Sequence, residues 1–179
     1  KKILIIHPRL CIRAIKQIEG LLSTKKFDIT IMTYMKKYQS SIPKDVFNKV
    51  KIINFRFRNN FLKRFLSRLK FKSFVNKFDI VHCHNEPNYY IVDVIKILKN
   101  KIPIIYDIHD FTSMRSGKEN LNEAYAYNNC DGIIHVNDDF IDYGNKKYGD
   151  KKCYTVLSTP SKKYSLEINK KKYSDKMNR

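Results

Sequence analysis

Short apolar runs recur along the first 157 residues, and stripes at helical spacing fill several of the gaps between them. Strands are predicted at Ile3 to Ile6, Ile29 to Met32, Lys51 to Asn54, Ile80 to His82, Ile104 to Asp107, Gly132 to Val136 and Cys153 to Leu157. Several are continuous and rich in Ile and Val, the pattern of strands buried on both faces of a parallel sheet. Between the first two, Cys11, Ala14, Ile15, Ile18, Leu21 and Leu22 fall at helical spacing. Ile91, Val94, Ile95 and Leu98 form a second such stripe. Asn137 reads as a helix cap ahead of Phe140 and Ile141. The alternation predicts βαβ units, hence an α/β domain with a doubly wound, mostly parallel sheet of six or seven strands. That domain takes residues 1–157. From Ser158 the apolar signal fades, and 158–179 reads as a basic linker or tail.

Composition narrows the function classes. None of the five glycines sits in G-x-G-x-x-G or G-x-x-x-x-G-K-[ST], so P-loop and dinucleotide-fingerprint readings have no support. The four cysteines are scattered without a C-x-x-C pair, which reads as reduced thiols in a cytoplasmic protein. No apolar run approaches the roughly 18 residues needed to span a bilayer, and the chain opens on a strand-like run without a signal-peptide pattern.

The formal charge is +19, but it is unevenly spread. Residues 51–77 hold nine basic and no acidic side chains, whereas 78–150 hold seven basic and twelve acidic ones. A nucleic-acid-binding domain is the alternative that net charge alone favours. The acidic middle counts against it, and no nucleic acid is expected as partner. Within the basic segment, Phe61 to Phe78 carries Phe61, Leu62, Phe65, Leu66, Leu69, Phe74 and Val75 along one apolar face. Lys63, Arg64, Arg68 and Lys70 lie among them as candidate contacts to an anionic membrane surface, while the plainer reading is a helix that packs this apolar face on the sheet with its charges outside.

Ligands of doubly wound sheets bind beyond the carboxyl ends of the strands. His7-Pro8-Arg9, His82-Cys83-His84-Asn85-Glu86-Pro87 and Asp107-Ile108-His109-Asp110 all fall at such ends. A histidine there, flanked by carboxylates, suits a hydrogen-bond donor or proton shuttle, with a neighbouring Asp holding the imidazole's tautomer. The plainer reading is a strand end whose polar side chains satisfy loose backbone groups. His82 and His84 share one side of an extended segment, and with His109 and Asp110 they supply zinc or iron ligand types. Nothing in the sequence fixes their geometry, and no metal is expected. Arg9 and Arg13, at the start of the first helix, are candidates for an anion or phosphate site. Asp138-Asp139 reads as a pair complementing a helix dipole.

The blocks FDIVHCHNEPNYY, PIIYDIHDFTSMRSG and ENLNEAYAYNNCDGIIHV resemble the N-terminal half of GT-B glycosyltransferases, specifically family-4-like enzymes. Such enzymes show D-[IV]-[VI]-H-x-H, then P-[VI]-x-x-x-x-H-D, then an E…AD-x-[IV]-x-V-S strand. Here the last ends in Asn137 rather than Ser, and the first loop lacks the Gly-Gly that members often carry. The resemblance spans residues 2–160. It implies one Rossmann-like half of a GT-B fold, which binds the acceptor, while a second domain holds the nucleotide-sugar with an E-x7-E pair. No E-x7-E occurs here, so the chain is expected to be half of a retaining, hexosyltransferase-type enzyme, inactive alone.

The resemblance also implies His109 and Asp110 as catalytic residues. His84, Asn85, Glu86 and Arg115 fall on the acceptor side. No cofactor is expected; the nucleotide-sugar is a co-substrate bound mainly by the other domain. Expected partners are a glycan or lipid-linked sugar acceptor, a donor-binding domain or subunit, and the inner face of the cell membrane, in the synthesis of cell-surface polysaccharide. The competing reading is a non-catalytic, membrane-recruiting subunit of a split transferase.

Overall fold

Each expected strand is present, and all pair in parallel. The structure, a computed structural model, describes residues 1–8, 10–33, 43–55, 61–85, 88–98 and 101–159, with only the backbone of 61–64. The strands are β1 (Lys2–Ile6), β2 (Asp28–Thr33), β3 (Lys51–Asn54), β4 (Ile80–His84), β5 (Ile104–Asp107), β6 (Gly132–His135) and β7 (Cys153–Thr155). Between them run α1 (Ile12–Ser23), α2 (Lys44–Phe47), α3 (Phe61–Val75), α4 (Tyr89–Leu98), α5 (Thr112–Ser116), α6 (Leu121–Asn129) and α7 (Asp138–Tyr148). The sheet order is β3-β2-β1-β4-β5-β6-β7. This is a doubly wound, Rossmann-like α/β fold. Residues 160–179, most of the expected tail, lie outside the described residues.

Alternation along the strands builds two cores. Ile3 and Ile5 of β1, with Ile29 and Ile31 of β2, pack against Ala14 and Ile18 of α1. Leu4 and Ile6, Val81 and Cys83, Ile104 and Tyr106 face the other way, onto Phe71 and Val75 of α3 and the apolar residues of α4. Because side chains alternate with period two, continuous Ile/Val runs are what a sheet covered on both sides requires. The α4 stripe is buried as predicted.

In α3 the buried line is different from the expected one. Ser67, Phe71 and Val75, four residues apart, face the core, while Phe65, Leu66 and Leu69 stay half exposed. The apolar stripe read from sequence is thus partly surface. Asn137 caps α7, its Oδ1 accepting from the Phe140 amide at 3.0 Å. Asp138 and Asp139 occupy that helix's first turn, as expected for dipole complements. Among the described residues no helix is long and apolar enough to cross a membrane.

Candidate functional site

The topological switch point lies between β1 and β4, where the chain leaves the two strands in opposite directions along the sheet. Register brings the chemistry together there: Ile6 pairs with Cys83, and His84 pairs with Asp107. His7, His82, His84, Asp107 and His109 therefore collect at one carboxyl edge.

Asp107 is the hub. Its Oδ1 lies 2.6 Å from Arg13 Nη2, and both side chains are buried. Its Oδ2 accepts from Gln17 Nε2 at 2.7 Å and from His82 Nε2 at 3.0 Å. Burial pushes the carboxyl up, yet the His82 hydrogen bond and the charges of His82 and Arg13 outweigh it and hold Asp107 below its ordinary value. Arg13 also donates to the Ile108 carbonyl at 3.2 Å. It cannot serve as the anion site its sequence position suggested. Facing the sheet rather than solvent, its guanidinium is committed to Asp107. The other candidate, Arg9, lies outside the described residues.

Two of the histidines around this hub, His7 and His84, are held neutral. His7 is pushed down to about 3, chiefly by burial and then by His109. His84 falls well below its usual value through burial and through His7, His82 and His109. Of the five histidines only His109 is not buried, its side chain 28% exposed. Its Nε2 lies 3.0 Å from His84 Nδ1.

Those contacts revise the acceptor-side residues. His84, expected to meet acceptor, is buried behind His109, since β4 continues through it as a paired strand. Asn85 is buried too, and both ends of its amide are used. Its Oδ1 accepts from the His109 amide at 3.1 Å, and its Nδ2 donates to the Asp110 carbonyl at 2.7 Å. Asn85 therefore shapes the His109 loop from below. Glu86 lies outside the described residues. Arg115 is exposed, with Nη1 donating to Asp110 Oδ2 at 3.0 Å. Asp110 thus faces Arg115, and the His109 ring meets His84.

The loop is also pinned from its far side. Glu123, fully buried on α6, accepts from the Thr112 amide at 2.5 Å and from Tyr148 Oη at 2.8 Å. It accepts from Ser113 Oγ as well, and so satisfies the start of α5, where Phe111 offers no side-chain cap. Gln17 carried no signal in the sequence. Glu123 lies within the third motif block but was not among the residues expected at the site.

Among the described residues, two groups each bring three possible ligand atoms within 4.8 Å of one another, His7-His84-His109 and His82-His84-Asp107. Both share the neighbourhood of Arg13, whose cation already compensates Asp107, so a divalent ion there would face a like charge. On α3, Arg68 is bound to the buried Asp93 of α4 and only part of it reaches solvent. Its role as a free membrane contact is correspondingly reduced. Lys70 is exposed, and the side chains of Lys63 and Arg64 lie outside the described residues.

A sequence profile of Glycosyltransferase Family 4 matches residues 14–159, most of the chain. The chain belongs to glycosyltransferase family 4. No curated protein sequence matches it. Among solved structures, HepE from Anabaena, in complex with UDP and glucose, is similar at a TM-score of 0.64 with 9% identity. That alignment covers 88% of this chain and 44% of HepE. UDP-GlcNAc 2-epimerase from Methanocaldococcus jannaschii superposes at 0.63 with 16% identity, covering 87% of this chain and 45% of the epimerase. A glycosyltransferase from Rickettsia africae gives 0.60 with 13% identity, covering 97% and 49%. This family 4 chain thus spans about half the length of each. At these identities the likeness is one of fold.

Proposed function

We propose that this chain is the acceptor-binding half of a retaining glycosyltransferase, which takes a sugar from a nucleotide-sugar donor in the synthesis of a cell-surface glycan. The observation carrying this reading is His109. It is the one histidine of the buried cluster that reaches solvent, and it stands at the switch point where ligands of such sheets bind. Its backbone is bracketed by Asn85 and its ring backed by His84, the rigid support that a group acting on a transition state needs.

In this scheme the donor sits mainly on a second domain or subunit, without any cofactor. The departing diphosphate takes the acceptor's proton on the same face. His109 orients the reacting groups and stabilises charge as the glycosidic bond to phosphate breaks. Asp110 shares the catalytic role with His109, and Arg115, hydrogen-bonded to Asp110 at the rim, takes acceptor hydroxyls in this reading. The chain alone is inactive.

A membrane-bound acceptor accounts for the second surface. Phe65, Leu66 and Leu69 lie half exposed beside Lys70. A groove between α3 and α4 is lined by Phe65, Leu69 and Ile97 with Lys72, Lys96 and Lys101. Cations around exposed apolar side chains suit an anionic bilayer, so the protein works at the inner face of the cell membrane.

The test is transfer from labelled nucleotide-sugars to lipid-linked acceptors by this chain together with its donor-binding half. His109→Ala should lower turnover roughly 10²–10³-fold, the scale of one preorganised polar contact, with donor affinity little changed. Wild-type turnover in that variant would reduce His109 to a structural residue.

A further inference from the structure

The short contact between His84 Nδ1 and His109 Nε2, 3.0 Å, requires one nitrogen to donate and the other to accept. Two arrangements satisfy it. If His109 donates from Nε2, then His84 accepts at Nδ1 and, being neutral, carries its own hydrogen on Nε2. That atom is buried and has no hydrogen-bond partner. The arrangement would leave an N–H stranded in the interior, where orphaned donors are rarer than under-satisfied acceptors.

If His84 donates from Nδ1, its Nε2 is left as a bare acceptor. The nearby carboxylate separates the two cases further. Asp107 Oδ2 lies 3.6 Å from His84 Nδ1 and favours a hydrogen there. His109 Nε2 is 3.8 Å from Oδ1, but that oxygen faces the Arg13 guanidinium at 2.6 Å, which cancels most of its pull. A doubly protonated His84 is disfavoured by burial and by the three histidines and one arginine around it.

We propose that His84 is a positioning residue that fixes the tautomer of His109: His84 donates from Nδ1, His109 accepts at Nε2, and the single hydrogen of neutral His109 sits on Nδ1. His109 then hydrogen-bonds beyond the cluster as a donor. Such a donor matches an oxygen gaining negative charge, on a sugar or on a leaving phosphate. This consequence rests on the glycosyl-transfer reading; the tautomer itself does not.

The experiment is nitrogen-15 NMR of the imidazole rings in this chain at mildly alkaline pH. In the wild type, His109 should show its hydrogen on Nδ1, with scalar coupling across the hydrogen bond from His84 Nδ1 to His109 Nε2. A hydrogen on His109 Nε2 overturns the proposal without any variant. His84→Asn, whose side-chain amide can replace the Nδ1–H donor, should keep the His109 form. His84→Leu should lose it, giving a mixture of tautomers. A single Nδ1–H form persisting in folded His84→Leu, or its loss in folded His84→Asn, would take the role from His84. Absence of glycosyl transfer would leave every one of these spectra unchanged, so the two readings fail separately.

Discussion

Arg13, in the first turn of α1, and Asp107, the last residue of β5, form an ion pair at 2.6 Å with both side chains buried. The pair joins the helix after the first strand to the strand end that precedes His109. A charge removed from water on this scale is tolerated only while its partner is present.

Asp107→Asn should therefore destabilise the domain by about 3–5 kcal/mol, because it leaves the Arg13 guanidinium buried without a counter-charge. Urea denaturation measures it. Arg13→Met combined with Asp107→Asn should recover part of the loss, since the two sites are in direct contact and their effects do not add. A single-variant loss under about 1 kcal/mol would mean that water reaches the pair.

Stability should fall steadily as the pH drops from about 6.5 toward 4. His7 and His135 titrate near 3 and 4 in the folded chain, and His84 is also well depressed. Over this range the unfolded chain binds more protons than the folded one, so acid favours unfolding. Each such histidine contributes a slope of about 1.4 kcal/mol per pH unit. Asp107, also depressed, adds a loss of the same sign as pH falls through its folded value. Urea midpoints at a series of pH values test this. A flat profile between pH 6.5 and 5 would show that the histidines take up protons in place.

Protein purified without chelator should contain well under one zinc or iron per chain by elemental analysis. The ligand types are close together, but Arg13 already supplies the positive charge that Asp107 needs. A stoichiometric metal would overturn this and make the histidine cluster a metal centre.

Vesicles containing anionic lipid should bind the domain, neutral vesicles should not, and raised salt should release it. Reversing Lys63, Arg64 and Lys70 to Glu should abolish binding while leaving the fold intact. Arg68 is left out of that set, because a glutamate there would face the buried Asp93. Equal binding to neutral and anionic vesicles, or no effect of the reversal, would remove the membrane from the proposed function.

The strand positions, the doubly wound class and the convergence of three loops were all legible along the chain. Period-two burial and helical stripes are local properties, and a strand end is visible where an apolar run meets polar residues. The family was legible for a related reason. Its motifs lie in the short segments that leave the strands, and their order survives in the sequence. His109 belongs to that legible set, as does the cap at Asn137.

Which polar groups face each other was decided only by tertiary structure. Nothing local distinguishes an arginine bound for solvent from one bound for a carboxylate in a distant strand, so Arg13 read as an anion site. Likewise Asn85 and His84 lie in the same short segment as Glu86, but β4 stays paired through His84, and this turns them inward as supports. Phe71 and Phe65 are both apolar residues on α3, and only the face that this helix turns to the core buries one and leaves the other half exposed. Sequence fixes spacing along an element. Register between β1, β4 and β5, set by hydrogen bonding across the sheet, fixes which side chains share a site.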